Sequence, residues 1–139
     1  MFISKTILTR RLRFKGNPLA IVHIPHNVSV TQEQKQTIAR EFNLSETTFV
    51  HEAEVGVDAE SWTVDIFMTT DELPFAGHPT IGTACHVLSR VASSRGIGDG
   101  IIEAGFKIKA GPIGLRYDVA KCIARASIPH EVYVILCLG

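Results

Sequence analysis

Glu72-Leu73-Pro74-Phe75-Ala76-Gly77-His78-Pro79-Thr80-Ile81-Gly82-Thr83-Ala84-Cys85-His86-Val87-Leu88 is the stretch that decides the fold of this 139-residue chain. Pro79 suits a first helical turn, where its missing N–H would have no intrahelical acceptor anyway. From there Ile81, Ala84, Cys85, Leu88 and Val91 recur at helical spacing, and Val87 and Ala92 widen the stripe. A helix apolar over so much of its circumference is largely buried. Ser93-Ser94-Arg95-Gly96 ends it. Strand-like runs lie on both sides, so the helix is expected at the centre of an α+β domain whose sheet wraps around it.

Working towards the N-terminus, Trp62 to Met68 and Thr47 to Val50 are β-rich runs. The acidic segment between them, with Glu52, Glu54, Asp58 and Glu60, reads as a solvated hairpin connection. Thr31 and Gln34 have the capping-box spacing, which predicts a surface helix from Gln32 to Phe42 ending at Asn43, with a narrow apolar face of Ile38, Ala39 and Phe42. Leu19 to Ile24 is a buried strand after the Gly16-Asn17-Pro18 turn, and Ile3 to Leu12 is a further strand. Towards the C-terminus, Ile101 to Ala104, Phe106 to Ala110 and Ile113 to Tyr117 are short strand-like runs separated by Gly and Pro. Val132 to Gly139 is a last strand. The length fits one domain over residues 1–139, with an atypical tail after about residue 130.

Composition narrows the function. Lys plus Arg is 14 and Asp plus Glu is 14, so there is no basic surplus for nucleic acid or an anionic membrane. The apolar stretches fall far short of the ~20 residues that span a bilayer. The N-terminus has no small-residue cleavage site of a secretory signal, although Arg10, Arg11 and Arg13 precede any acidic residue, as in a mitochondrial presequence. Cys85, Cys122 and Cys137 are too scattered for a disulfide framework and are expected as free thiols in a reducing compartment. Together these features point to a cytoplasmic protein.

Few residues carry chemistry. His23 and His26 could face a metal, but no acidic or thiol ligand lies at ligand spacing, so no metal is expected. Cys85 and His86 diverge by ~100° on a helix and cannot form a nucleophile–base pair. Gly96, Gly98 and Gly100 follow a helix instead of joining a strand to one, which suits a loop and not a dinucleotide cradle. Glu46 stands where a polar helix end meets an apolar strand, either as a reactive carboxylate or as a solvated structural one. Gly77 and His78 precede the buried helix, where free amides and the helix dipole suit a carboxylate or an enolate-like oxyanion. The same residues could equally form a Gly-Pro turn with His78 as the helix cap.

Three blocks in order, GNPLAIV (Gly16 to Val22), FNLSETTFV (Phe42 to Val50) and ELPFAGHPTIGTA (Glu72 to Ala84), resemble the PhzF family of phenazine-biosynthesis-like proteins, whose fold is similar to that of diaminopimelate epimerase. KAGPIGLRYD and the later IPH continue the likeness. The resemblance implies one diaminopimelate-epimerase-like half, a strongly curved, mostly antiparallel sheet around a central helix. It also implies cofactor-independent isomerase or epimerase chemistry on a small carboxylate-bearing substrate. Glu46 would be the general base and acid, partly desolvated by Leu44, Phe49 and Phe75. His78 would assist by hydrogen bonding or proton relay, Gly77 and Ser45 would contact substrate, and Asn17 would help shape the pocket. Family members are about twice this length, with the active site between two similar halves, and this chain resembles the first half. A homodimer is one source of the second wall. The alternatives are a non-catalytic binding remnant or a truncated gene product. One departure is Asp65, which stands where the family usually carries a basic residue.

Overall fold

The computed structural model of the chain describes residues 2–7, 18–53, 60–128 and 131–136. The first strands are β1 (Phe2–Ile7) and β2 (Pro18–Ile24), followed by helix α1 (Gln32–Phe42) and strands β3 (Glu46–His51), β4 (Ser61–Phe67) and the short β5 (Glu72–Leu73). Helix α2 (Gly77–Arg95) comes next, then β6 (Ile101–Ile108), β7 (Gly111–Asp118), β8 (Ile123–Ile128) and β9 (Glu131–Leu136). The described strands form one sheet in the order β1-β2-β3-β4-β6-β7-β8-β9, with β5 beside β4. Among them only β2/β3 and β4/β6 pair parallel, and the other pairings are antiparallel.

Helix α2 packs against β2 and β3 near one end of this order and against β7, β8 and β9 at the other. A helix ~10 Å across can touch both ends only if the sheet curls around it. The sheet does so because its inner face is apolar. Leu19, Ile21, Val50, Val64, Ile66, Phe106, Ile113 and Leu115 meet Ile81, Ala84 and Leu88 of α2 in one buried cluster. The expected central helix and mostly antiparallel curved sheet are therefore present.

Helix α1 covers the other face of β2–β4. Its Ala39, with half-buried Ile38 and Phe42, closes over Val22, Ile24, Phe49 and Phe67. Phe49 and Phe67 meet edge to face at 5.3 Å between ring centroids. The boundaries of α1 are those the sequence predicts. The Thr31 hydroxyl accepts from Gln34 N–H at 3.1 Å, the Gln34 side chain accepts from Thr31 N–H at 2.9 Å, and Asn43 ends the helix in the left-handed region at φ 50°. Lys35 is buried on this face because its Nζ donates to Asp65 Oδ2 at 2.6 Å, and His51 Nε2 donates to the same oxygen at 2.6 Å.

Three expectations change. Ile101 to Ala104 and Phe106 to Ala110 form one strand, because Gly105 continues the ladder, donating its amide to Glu60 O at 2.8 Å. A Cβ there would come within 3.3 Å of Ile113 O, a close approach that glycine permits. The strands β5 and β8 are additions to the sequence reading. The free-thiol expectation holds for half-buried Cys122, whereas buried Cys85 is disulfide-bonded. Cysteine pairing depends on through-space Cβ separation, which sequence spacing does not report. Residues 8–12 of the first expected strand, the Gly16-Asn17 turn, most of the acidic connection and His130 lie outside the described residues.

Candidate functional site

The site is built where β3 begins and α2 begins. Glu46 is in register with Leu19 of β2, and His23 with Val50, so β2 and β3 run together. Thr48 Oγ1 lies 2.8 Å from Thr83 Oγ1 of α2. Further along both strands, His23 Nε2 lies 3.0 Å from His86 Nε2 and 3.3 Å from an Arg90 guanidinium nitrogen. The helix thus runs in the same direction as β2 and β3. The path back from Thr48 to Glu46 covers ~6.6 Å at ~3.3 Å per strand residue. The path back from Thr83 to Pro79 or His78 covers ~6–7.5 Å at ~1.5 Å per helical residue. Glu46 and the first turn of α2 consequently share one end of the domain. Glu46 is also on the inner face, since alternate residues of a strand share a face and Thr48 meets α2.

Local structure at this end is set by a few bonds. Glu46 is half-buried, and its Oε2 accepts the hydroxyl proton of exposed Ser45 at 2.7 Å. Ser45 therefore contacts the carboxylate itself. The N-cap of α2 is Ala76, extended at φ −152° and ψ 132°, with no side-chain capping bond. His78 is the second helical residue, so the cap reading for it does not hold. Thr80 N–H donates to Ala76 O at 3.2 Å, the first rung of the helical ladder, leaving the Gly77 amide ahead of it at the positive end of the helix dipole. Half-buried Phe75 packs on the inner core beside this turn. Phe49, expected to desolvate Glu46, does not: it faces α1, because it is an odd step from Glu46 along the strand. Asn17 lies outside the described residues.

Asp65 also belongs to the outer face, under α1, so the departure it marks does not line the Glu46 end. Burial alone would raise its carboxyl, but the hydrogen bonds from His51 and Lys35 together outweigh this and lower it below the usual value.

From the middle of α2 onward stands a second polar cluster that the sequence reading missed. His23 is 2% exposed, and its Nδ1 donates to Glu52 Oε1. His23 Nε2 faces His86 Nε2 and an Arg90 guanidinium nitrogen in the same cluster. Burial, then the neighbouring His23 and Arg90 charges, hold His86 down at about 4. The hydrogen bond from His23 lowers Glu52. The one available signal was a histidine inside the otherwise apolar run Leu19 to Ile24. Exposed His26 only borders the depression above this cluster. Among the described residues, no group of three or more His, Cys, Asp and Glu side chains is placed to hold a metal ion. No described helix is long and apolar enough to cross a membrane.

A curled sheet around one buried helix, with a carboxylate at the strand mouth beside that helix's first turn, defines an epimerase-like α+β fold. Residues 10–129 match the PhzC-PhzF family model, described as phenazine biosynthesis-like protein, and the chain belongs to that family. An uncharacterized isomerase of Pasteurella multocida is 51% identical over 71 residues, which cover 51% of this chain and 23% of the relative. The trans-2,3-dihydro-3-hydroxyanthranilate isomerase of Pseudomonas chlororaphis is 49% identical over 70 residues, 50% of this chain and 23% of that protein. Among solved structures, a predicted epimerase from Pseudomonas aeruginosa superposes with a TM-score of 0.66 at 24% identity, over 89% of this chain and 41% of that one. A PhzF-family protein of Bacillus anthracis gives 0.61 at 24% identity, over 91% and 40%. The chain thus spans well under half the length of the relatives it matches.

Proposed function

We propose that this chain forms one wall of an isomerase- or epimerase-type active site that moves a carbon-bound proton of a small carboxylate-bearing metabolite without a cofactor. Glu46 takes and returns the proton, and His78 assists by hydrogen bonding or relay. The Gly77 amide and the positive end of α2 receive the substrate carboxylate. Ser45 steadies the Glu46 carboxylate, and Asn17 contributes to the shape of the pocket. The observation that carries the reading is the placement of Glu46 and the first turn of α2 at one end of the inner face. The named activity of the Pseudomonas chlororaphis relative, an isomerase, agrees with it. The site needs a second wall, and a second copy of this chain is one source of it, because a one-walled cleft neither excludes water nor holds both ends of a substrate.

The test is solvent-deuterium incorporation, followed by NMR, into a panel of small carboxylates that includes trans-2,3-dihydro-3-hydroxyanthranilate. Light scattering on the same samples reports whether a dimer forms. Glu46→Gln is expected to lower exchange by at least ~100-fold, the low end of what a positioned acid–base group contributes, while the circular dichroism spectrum is unchanged. Exchange by Glu46→Gln at the wild-type rate removes the assignment. Carboxylate binding without exchange by the wild type makes the chain a binding module.

A further inference from the structure

We infer that Thr48 and Thr83 are positioning residues that hold the strand mouth bearing Glu46 and the helix turn bearing His78 at a fixed separation and angle. The inference rests on the site proposed above but is read from different atoms. Both threonines are fully buried, at 0% exposure. Thr83 Oγ1 donates its one proton to Pro79 O at 2.6 Å, back along its own helix. The 2.8 Å contact between the two hydroxyls must then be a bond donated by Thr48. The direction of the chain is thereby fixed: Thr48 hydroxyl to Thr83 hydroxyl to the Pro79 carbonyl.

Each end of this chain is next to a proposed functional residue. Thr48 is two residues after Glu46 on the same face of β3, and Pro79 follows His78 in the first turn of α2. A neighbouring bond reinforces that turn, as Thr80 Oγ1 donates to Ala76 O at 2.7 Å. Threonine back-bonding of this kind slightly weakens and bends a helix. Here it occurs twice close to an N-terminus that has no side-chain cap. The surroundings are apolar, with Leu19, Ile21, Val50, Ile81 and Ala84 in the same cluster. Apolar contacts resist separation but tolerate sliding. A buried, fully satisfied hydroxyl chain is directional, and it fixes one register between strand and helix. Carbon-bound proton transfer needs that constraint, because a displacement of ~1 Å can reduce the rate by ~100-fold.

The experiment compares the wild type with Thr48→Val/Thr83→Val, with Thr48→Val alone and with Thr83→Ser. The double variant removes both hydroxyls and keeps their shapes, so it leaves neither unpaired. Thr48→Val removes only the donor and serves if the double variant does not fold. Thr83→Ser keeps the chain intact. Residual dipolar couplings of the amides of residues 46–50 against those of 77–83 report the angle between strand and helix. Solvent-deuterium exchange reports kcat and KM separately. The expected result is a changed angle and a ~10–100-fold lower kcat at similar KM in the valine variants, with both restored in Thr83→Ser. Couplings that stay the same in the valine variants overturn the inference whatever the activity. So does a loss of activity in Thr83→Ser equal to that of the valine variants. A changed angle in a chain whose wild type exchanges no substrate proton defeats the proposed function and leaves the positioning geometry standing.

Discussion

Acidification from pH 7 to 4 should loosen the fold through His86, and the size of the effect follows from its surroundings. The imidazole is half-buried on α2 beside His23 of β2, Arg90 one turn further on and Glu52 just after β3. Burial and the two positive neighbours hold it at about 4 from an ordinary 6.5, and Glu52 opposes them only in part. The folded value is the depressed one, so the unfolded chain takes up the proton first. No penalty exists above about pH 6.5, and it grows as pH falls until the folded state is also protonated near pH 4. At ~1.36 kcal/mol per pH unit the full span would approach ~3 kcal/mol. Solvent around a half-exposed ring reduces this to ~1–2 kcal/mol. Urea unfolding of the wild type and of His86→Gln, which keeps a polar amide facing His23 but does not titrate, isolates the contribution. The gap between the two should shift by ~1–2 kcal/mol between pH 7 and 4, with equal urea dependence. A gap that is constant across this range, or an NMR titration placing the His86 midpoint near 6.5, refutes the reasoning.

Thr47 Oγ1 is buried without a hydrogen-bond partner among the described residues, so Thr47→Val should raise stability by ~1 kcal/mol in denaturant unfolding, and a loss would reveal a partner for that hydroxyl. Thr31→Ala removes the cap of α1 and should cost ~1 kcal/mol, measured the same way; no change would mean that the capping box contributes nothing. His78→Ala should slow proton exchange less than Glu46→Gln and weaken binding of an acetate probe, followed by the shift of the Gly77 amide signal. Unchanged acetate affinity would leave the carboxylate contact to the backbone alone.

Elements with a strong local code were legible in the sequence. The Thr31/Gln34 pair and Asn43 fixed both ends of α1, and the apolar stripe from Ile81 to Val91 marked a buried helix. The positions of Glu46 at a strand start and of His78 in a first helical turn were legible for the same reason. Face assignments were not. Thr47 to Val50 are all buried, because α1 covers one side of β3 and α2 the other, so no polar alternation revealed that Phe49 turns away from Glu46. The burial of Lys35 has no local signature, since its partner Asp65 is distant in sequence. The His23–His86 pair spans 63 residues, and only the curl of the sheet brings its members together. Gly105 suggested a break because the bond its amide donates to Glu60 O, which carries the strand through it, has no sequence signature.

The double covering of β3 also bears on how the molecule breathes. A strand with a helix on each side cannot expose its amides until both packing layers have opened, so its exchange with solvent should require the rarest, near-global openings. The ladder from Glu46 to His51 then belongs to the last cooperative unit to unfold, whereas β6 and β7, with one face exposed, open earlier. The strand bearing Glu46 would share the lifetime of the whole domain, and local fraying would seldom displace its carboxylate.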